Sequence, residues 1–164
     1  MSALLKRYGP WVDQCSTSIP HMKVRMRVLA IPQAGMGAWA FHGWQAALPE
    51  TVELLPVELP GRNSRMLEPK GQSMRQLVSA LVDALAETLR EKPFVVFGHS
   101  LGAWMAYEVC VELQKRRGPQ PVGLVVLGAR APQLADPELH DSDRVQPRMA
   151  DLPSRAFWAH FERR

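Results

Sequence analysis

Ser100 stands between two glycines in Gly98-His99-Ser100-Leu101-Gly102, after the apolar run Phe94-Val95-Val96-Phe97 and before the helical pattern Ala103–Leu113. A serine hydroxyl is a poor nucleophile until a base takes its proton and the surroundings favour attack. One arrangement raises the serine on a tight turn between a strand and a helix. Glycines permit the turn and its close packing, and the helix start aims its free N–H groups at developing negative charge. The flanks fit on both sides, so the stretch predicts Ser100 as nucleophile and the backbone N–H of Leu101 as one oxyanion donor. A second donor should come from a loop after an earlier strand. Ile31-Pro32-Gln33-Ala34-Gly35-Met36-Gly37 supplies such a loop, and Ala34 is the expected donor.

The same loop admits a rival reading. Gly35-Met36-Gly37-Ala38-Trp39-Ala40 fits G-x-G-x-x-A after a strand. Glu58 lies about 20 residues further on, where a dinucleotide-binding unit carries the acid that meets the ribose. Against this oxidoreductase reading, Pro32-Gln33-Ala34 separates the strand from the first glycine, where the turn should be immediate. Bulky Trp39 and Phe41 follow, and Gly98–Gly102 would be left without a purpose.

The elements that must position these groups alternate. Residues 1–22 read as an irregular lead-in. Arg27–Pro32 is a buried strand ended by proline, and Ala38–Leu48 suggests a helix ending near Pro49. Thr51–Leu59 is a second strand, turned by Pro60-Gly61. Ser73 and Gln76 form a capping box, behind which Met74, Leu77, Val78, Leu81, Val82, Leu85 and Leu89 recur at helical spacing. Phe94–Gly98 is a third strand, Leu101–Arg117 a helix stopped by Gly118-Pro119, and Gly123–Gly128 a fourth strand. Strands alternating with helices imply a mostly parallel sheet with helices on both faces. The expected organisation is therefore a lead-in (1–22), an α/β core (23–131) and a segment of different character (132–164), rich in Pro and Asp before a helical Leu152–Arg164.

The chain has 164 residues, 46% of them apolar, enough for one domain with a core. Its net charge of +4 is mixed in sign along the chain, with no like-charge block suited to nucleic acid. No apolar run reaches membrane-spanning length without interruption, and no signal-peptide core opens the sequence. Cys15 and Cys110 match no metal spacing, and a thiol in the apolar helix around Cys110 points to a reducing, cytoplasmic setting. Lys6, Arg7, Lys23, Arg25 and Arg27 against Asp13 lend the N-terminus a faint organelle-transit flavour that chance explains as well.

Four motifs in order and spacing, Ile31–Gly37, Glu58-Leu59-Pro60-Gly61-Arg62, Phe97–Val109 and Leu127–Leu134, resemble the type II thioesterases. These are α/β-hydrolases that accompany polyketide, nonribosomal-peptide and fatty-acid synthases. The resemblance runs from about Val24 to Arg164. It implies hydrolysis of acyl groups from the phosphopantetheine arm of a carrier domain, with that domain as partner and no cofactor or metal of its own. It carries Ser100 over as nucleophile and Leu101 and Ala34 as oxyanion donors. Two departures fall in the first loop. Gln33 stands where the family usually has His, and Met36 splits Gly35 from Gly37 where the family has adjacent glycines. Neither removes a backbone donor.

The acid and base of this fold follow the nucleophile in the order Ser, Asp, His, on loops after later strands. No further strand is legible after Gly128, and Leu152–Arg164 resembles the family's lid region. The resemblance therefore implies a C-terminally incomplete fold whose acid and base are not in this chain, and weak activity for the chain alone. An internal pair, His160 with one of Asp136, Asp141, Asp143 or Asp151, has the allowed order, but no strand separates its members and His160 falls on an amphipathic pattern. His140 reads as solvated, His99 as structural or pocket-lining, His42 as helix surface, and His21 precedes the core. Arg62 reads equally as a contact for a carrier or pantetheine phosphate and as a solvated turn residue. Trp39, Trp44 and Trp104 read as core or pocket wall. Beside the thioesterase stand a small-ester hydrolase on the same fold, a non-catalytic carrier-binding fragment and, last, the dinucleotide-binding oxidoreductase.

Overall fold

A computed structural model describes residues 8–13, 19–71 and 73–130. Contacts divide the chain into Met1–Ala129 and Arg130–Arg164, and every element below belongs to the first unit. Four strands, β1 (Met26–Ile31), β2 (Val52–Pro56), β3 (Phe94–His99) and β4 (Gly123–Leu127), form one sheet in the order β2-β1-β3-β4. Every pairing is parallel. Leu29 registers with Leu55 on one side and Val96 on the other, and Val96 with Leu124. The strands' near-continuous apolar runs suit a sheet covered on both faces.

Side chains alternate across the sheet. Leu29, Ile31, Leu55 and Val96 face one core shared with two long helices, α2 (Met74–Arg90) and α3 (Leu101–Lys115). The α2 contribution is the stripe read from the sequence: Val78, Leu81, Val82, Leu85 and Leu89 are buried, and Ser73 Oγ accepts from the Gln76 N–H as N-cap. Each such burial stabilises by about 1.5–3 kcal/mol before the entropy of ordering is counted. In α3, Ala103, Met105, Ala106, Val109 and Leu113 are buried. The opposite face holds a smaller cluster of Ala30, Leu54, Phe97 and Phe41.

The single helix expected over Ala38–Leu48 is instead two short pieces, a 3-10 turn (Ala38–Phe41) and one helical turn, α1 (Trp44–Ala47). Gly43 between them adopts φ 80°, a left-handed conformation that interrupts helical hydrogen bonding. Trp39 and Trp44 are 55% and 41% exposed, so neither is core; Trp44 edges against Phe41 and Phe97. The second strand ends at Pro56; Val57, whose N–H still donates to the Ala30 carbonyl at 2.8 Å, bridges Val12. That bridge brings in the lead-in, whose Tyr8, Trp11 and Val12 are buried.

Arg27, counted with the basic N-terminus in the sequence, is fully buried in β1. Its Nε donates to Glu53 at 2.9 Å, Nη2 to Glu91 at 3.0 Å and Nη1 to the Thr88 carbonyl, while Tyr8 also donates to Glu53. The cluster ties β1, β2, the end of α2 and the lead-in together. On the far side, β4 is the edge strand of the described sheet. Leu124, Val125, Val126 and Leu127 along it are all exposed, although their sequence reads as a central strand.

Candidate active site

The junction of β3 and α3 carries Ser100 with φ 54° and ψ −117°, a conformation that side chains rarely adopt. Its N–H donates to the Leu127 carbonyl at 2.7 Å, and its carbonyl accepts the Ala103 N–H at 2.9 Å. The flanking glycines are required by close approach. A side-chain carbon at Gly98 would overlap the Gly102 carbonyl, and one at Gly102 would overlap the carbonyl oxygens of Ile31 and Pro32. The start of α3 is therefore seated directly on the C-terminal end of β1. Leu101, the first residue of α3, has an N–H without a carbonyl partner inside the helix.

The loop after β1 turns at Ala34 and Gly35, closed by the Met36 N–H on the Gln33 carbonyl at 3.2 Å, with Gly35 at φ 81°. Ala34 is exposed, and among the described residues no acceptor holds its N–H. Ala34 and Leu101 line one cleft of about 220 Å³, together with the loop after β2 and the first turns of α2. The two residues expected to supply the donors thus line one cavity; Ser100, bonded to Leu101, is not among the residues that line it.

Glu58 holds this loop from beneath. It is fully buried; its carboxylate accepts the Ala38 N–H at 3.4 Å and the Asn63 amide at 3.0 Å. Burial pushes its carboxyl above the usual range, and those two hydrogen bonds only partly offset this. Its backbone is fixed by Trp11, whose carbonyl accepts its N–H, and by Arg65, which donates to its carbonyl at 2.9 Å. The rival dinucleotide reading fails on this geometry. The acid that should meet a ribose is sealed under the loop, and a side-chain carbon at Gly37 would collide with it. Sequence reasoning missed Glu58 as a support; the signal was an acid closing an apolar strand, with a basic residue, Arg65, in the turn that follows.

No histidine hydrogen-bonds to the Ser100 side chain among the described residues. His42 is exposed and stacks on Trp39 at 4.3 Å between ring centroids. His99 is exposed beside Gly128, at the end of β4. His140, His160, Asp136, Asp141, Asp143 and Asp151 lie outside the described residues, as does Cys15. The Cys110 thiol, half-buried in α3, is pushed up to about 11 by burial and is inert as a nucleophile at neutral pH. The described residues hold no cluster suited to a metal ion and no helix long and apolar enough to cross a membrane.

The thioesterase domain family profile matches residues 26–162. The chain is 37% identical over 132 residues to the AMB antimetabolite synthetase AmbE of Pseudomonas aeruginosa, covering 79% of this chain and 6% of AmbE. It is 37% identical over 155 residues to the thioesterase PikA5 of Streptomyces venezuelae, covering 94% of this chain and 51% of PikA5. The fold superposes on RedJ, the thioesterase from the prodiginine biosynthetic pathway in Streptomyces coelicolor. The TM-score is 0.72 at 32% identity, over 90% of this chain and 56% of RedJ. The chain thus spans about half the length of PikA5 and RedJ.

Proposed function

The chain belongs to the thioesterase domain family, with its α/β-hydrolase fold, and on that premise we propose that it is a serine thioesterase acting on acyl groups held by the phosphopantetheine arm of an acyl carrier domain. The carrier domain would belong to a polyketide or nonribosomal-peptide synthase, the setting printed for two structural neighbours, ClbQ of the colibactin NRPS/PKS pathway and the type II thioesterase YbtT of the yersiniabactin NRPS/PKS pathway. The single observation that carries the reading is Ser100, a non-glycine residue held at positive φ where strand meets helix.

In this reading Ser100 Oγ attacks the thioester carbonyl carbon, and its proton passes to a base. The backbone N–H groups of Leu101 and Ala34 hold the oxyanion of the tetrahedral intermediate. The C–S bond breaks, and the pantetheine thiol leaves with a proton. Water then attacks the Ser100 ester through a second oxyanion held by the same donors, releasing a free acid and restoring the hydroxyl. No cofactor takes part. No base meets Ser100 among the described residues; turnover carried by the oxyanion donors and binding alone would be slow. Such an enzyme would work beside its synthase in the cytoplasm, where the Cys110 thiol stays reduced.

The test is release of free thiol from an acylated carrier domain, compared with an aryl ester. Ser100-dependent release from the carrier above buffer supports the reading. Turnover of the aryl ester alone reduces it to a small-ester hydrolase, and carrier binding with no Ser100-dependent release reduces it to a binding module.

A further inference from the structure

The loop after β2 carries four charged side chains between Gly61 and Gly71: Arg62, Arg65, Glu68 and Lys70. Two of them neutralise each other. Arg65 donates to both carboxylate oxygens of Glu68, at 2.9 and 2.6 Å, and lies over the Trp11 ring at 4.4 Å. Those bonds hold the Glu68 carboxyl below the usual range, so it remains charged and paired with Arg65. Arg62 and Lys70 are in no ion pair with the described residues; the described bond of Arg62 runs from Nη1 to the Gly61 carbonyl at 3.0 Å. Both line the cleft that Ala34 and Leu101 share.

The fold brings the Lys70 stem against the turn that carries Arg62. Gly61 adopts φ 75°, and a side-chain carbon there would fall 2.6 Å from Lys70 Cγ. The missing side chain lets the Lys70 stem lie against the turn that carries Arg62. The rest of the cleft wall includes the apolar Leu59, Met74, Leu77 and Met105, and among the described residues no carboxylate lines it. Cations on a low-dielectric wall with no acid beside them concentrate anions. Two other grooves differ in kind. One of about 320 Å³ has Lys23 and Glu50 in its wall, and one of about 860 Å³ has Arg75, Lys115 and Arg116 together with Glu108 and Glu112, so acids line both.

Resting on the thioesterase reading above, we infer that Arg62 and Lys70 are a binding site for an anionic group of the thioester substrate, a phosphate or a carboxylate. A neutral acyl chain would need only the apolar wall. A guanidinium fork and an ammonium on the wall of one cleft are chemistry suited to oxyanions. The phosphate would be that of the pantetheine arm; the carboxylate would be the free end of a dicarboxylic acyl group.

Three unhydrolysable thioethers separate these sources by calorimetry on the chain as it stands, whatever its turnover: S-propyl pantetheine, its 4′-phosphate, and S-(2-carboxyethyl) pantetheine. At least one charged probe is expected to bind about tenfold or more tightly than the neutral one, with a gain that shrinks as salt rises. A gain from the phosphate identifies the arm, and a gain from the carboxylate identifies the acyl group. The double variant Arg62→Gln/Lys70→Gln, with unchanged melting temperature, should lose the gain while still binding the neutral probe. Arg62→Lys/Lys70→Arg should keep most of it. Equal binding of all three probes, or a gain that survives the double glutamine variant, overturns the site and leaves the thioesterase reading standing. No binding of any probe, with no acylation of Ser100, overturns both.

Discussion

Glu58, sealed from solvent at the end of β2, accepts the Ala38 N–H just beyond the loop that presents Ala34. The carboxyl faces that amide, the Asn63 amide and, at longer range, Asp13 and Arg65. Burial raises its folded-state pKa above the ordinary 4.5. An acid with a raised folded pKa contributes stability that is fully present below its unfolded value and is lost as pH rises through the folded one. The wild type should therefore lose stability relative to Glu58→Gln as pH climbs from about 4 to 7, read by urea unfolding at each pH. A flat difference would mean the carboxyl is not shifted.

Removing the Arg27 side chain leaves the Glu53 carboxylate of β2 buried without that cation, with the Tyr8 hydroxyl still donating to it. Arg27→Ala should cost about 3–5 kcal/mol in chemical denaturation, as breaking a buried ion pair does. A loss below about 1 kcal/mol, the range of surface pairs, would show that water reaches the cluster.

Gly102→Ala places a carbon against the carbonyl oxygens of Ile31 and Pro32, which are backbone and cannot swing aside. The cost should be about 1–3 kcal/mol, and the seat of α3 on β1 should shift. Unchanged stability would contradict that close approach.

The exposed apolar strand β4 should bind a hydrophobic dye and promote association as concentration rises, because open apolar edges template further pairing. Val125→Lys should reduce both, with little effect on melting temperature. Light scattering independent of concentration, in the wild type and the variant alike, would show that β4 is covered in solution.

What was legible in the sequence is what is encoded locally. The stripe from Val78 to Leu89 specifies α2 because a 3.6-residue period is written in adjacent turns. Gly98–Gly102 marks the elbow because an apolar run, a glycine-flanked turn and a helical pattern follow one another there, although the close contacts of Gly102, with Ile31 and Pro32, lie far along the chain. The helix over Ala38–Leu48 misled because its apolar content resembles a helix while Gly43 breaks the hydrogen-bond ladder. Arg27 reads in the sequence as one of the basic N-terminal residues and Glu58 as a candidate ribose acid, since their structural partners lie far along the chain: Glu53 and Glu91 for the one, Ala38 and Trp11 for the other. The cation pair at Arg62 and Lys70 needed the structure, which shows that Arg65 takes the acid between them.

The most direct test of the account is peptide mass spectrometry of the chain after exposure to an acyl-pantetheine thioester and, separately, to a fluorophosphonate. One adduct is predicted in both cases, on the peptide containing Ser100. It should vanish in Ser100→Ala, and any thiol release should fall to the buffer rate. Cys110 should stay unmodified, because a thiol pushed up to about 11 offers almost no thiolate at neutral pH. An adduct on another residue, or thiol release by Ser100→Ala within about tenfold of wild type, would contradict the assignment of Ser100 as the nucleophile.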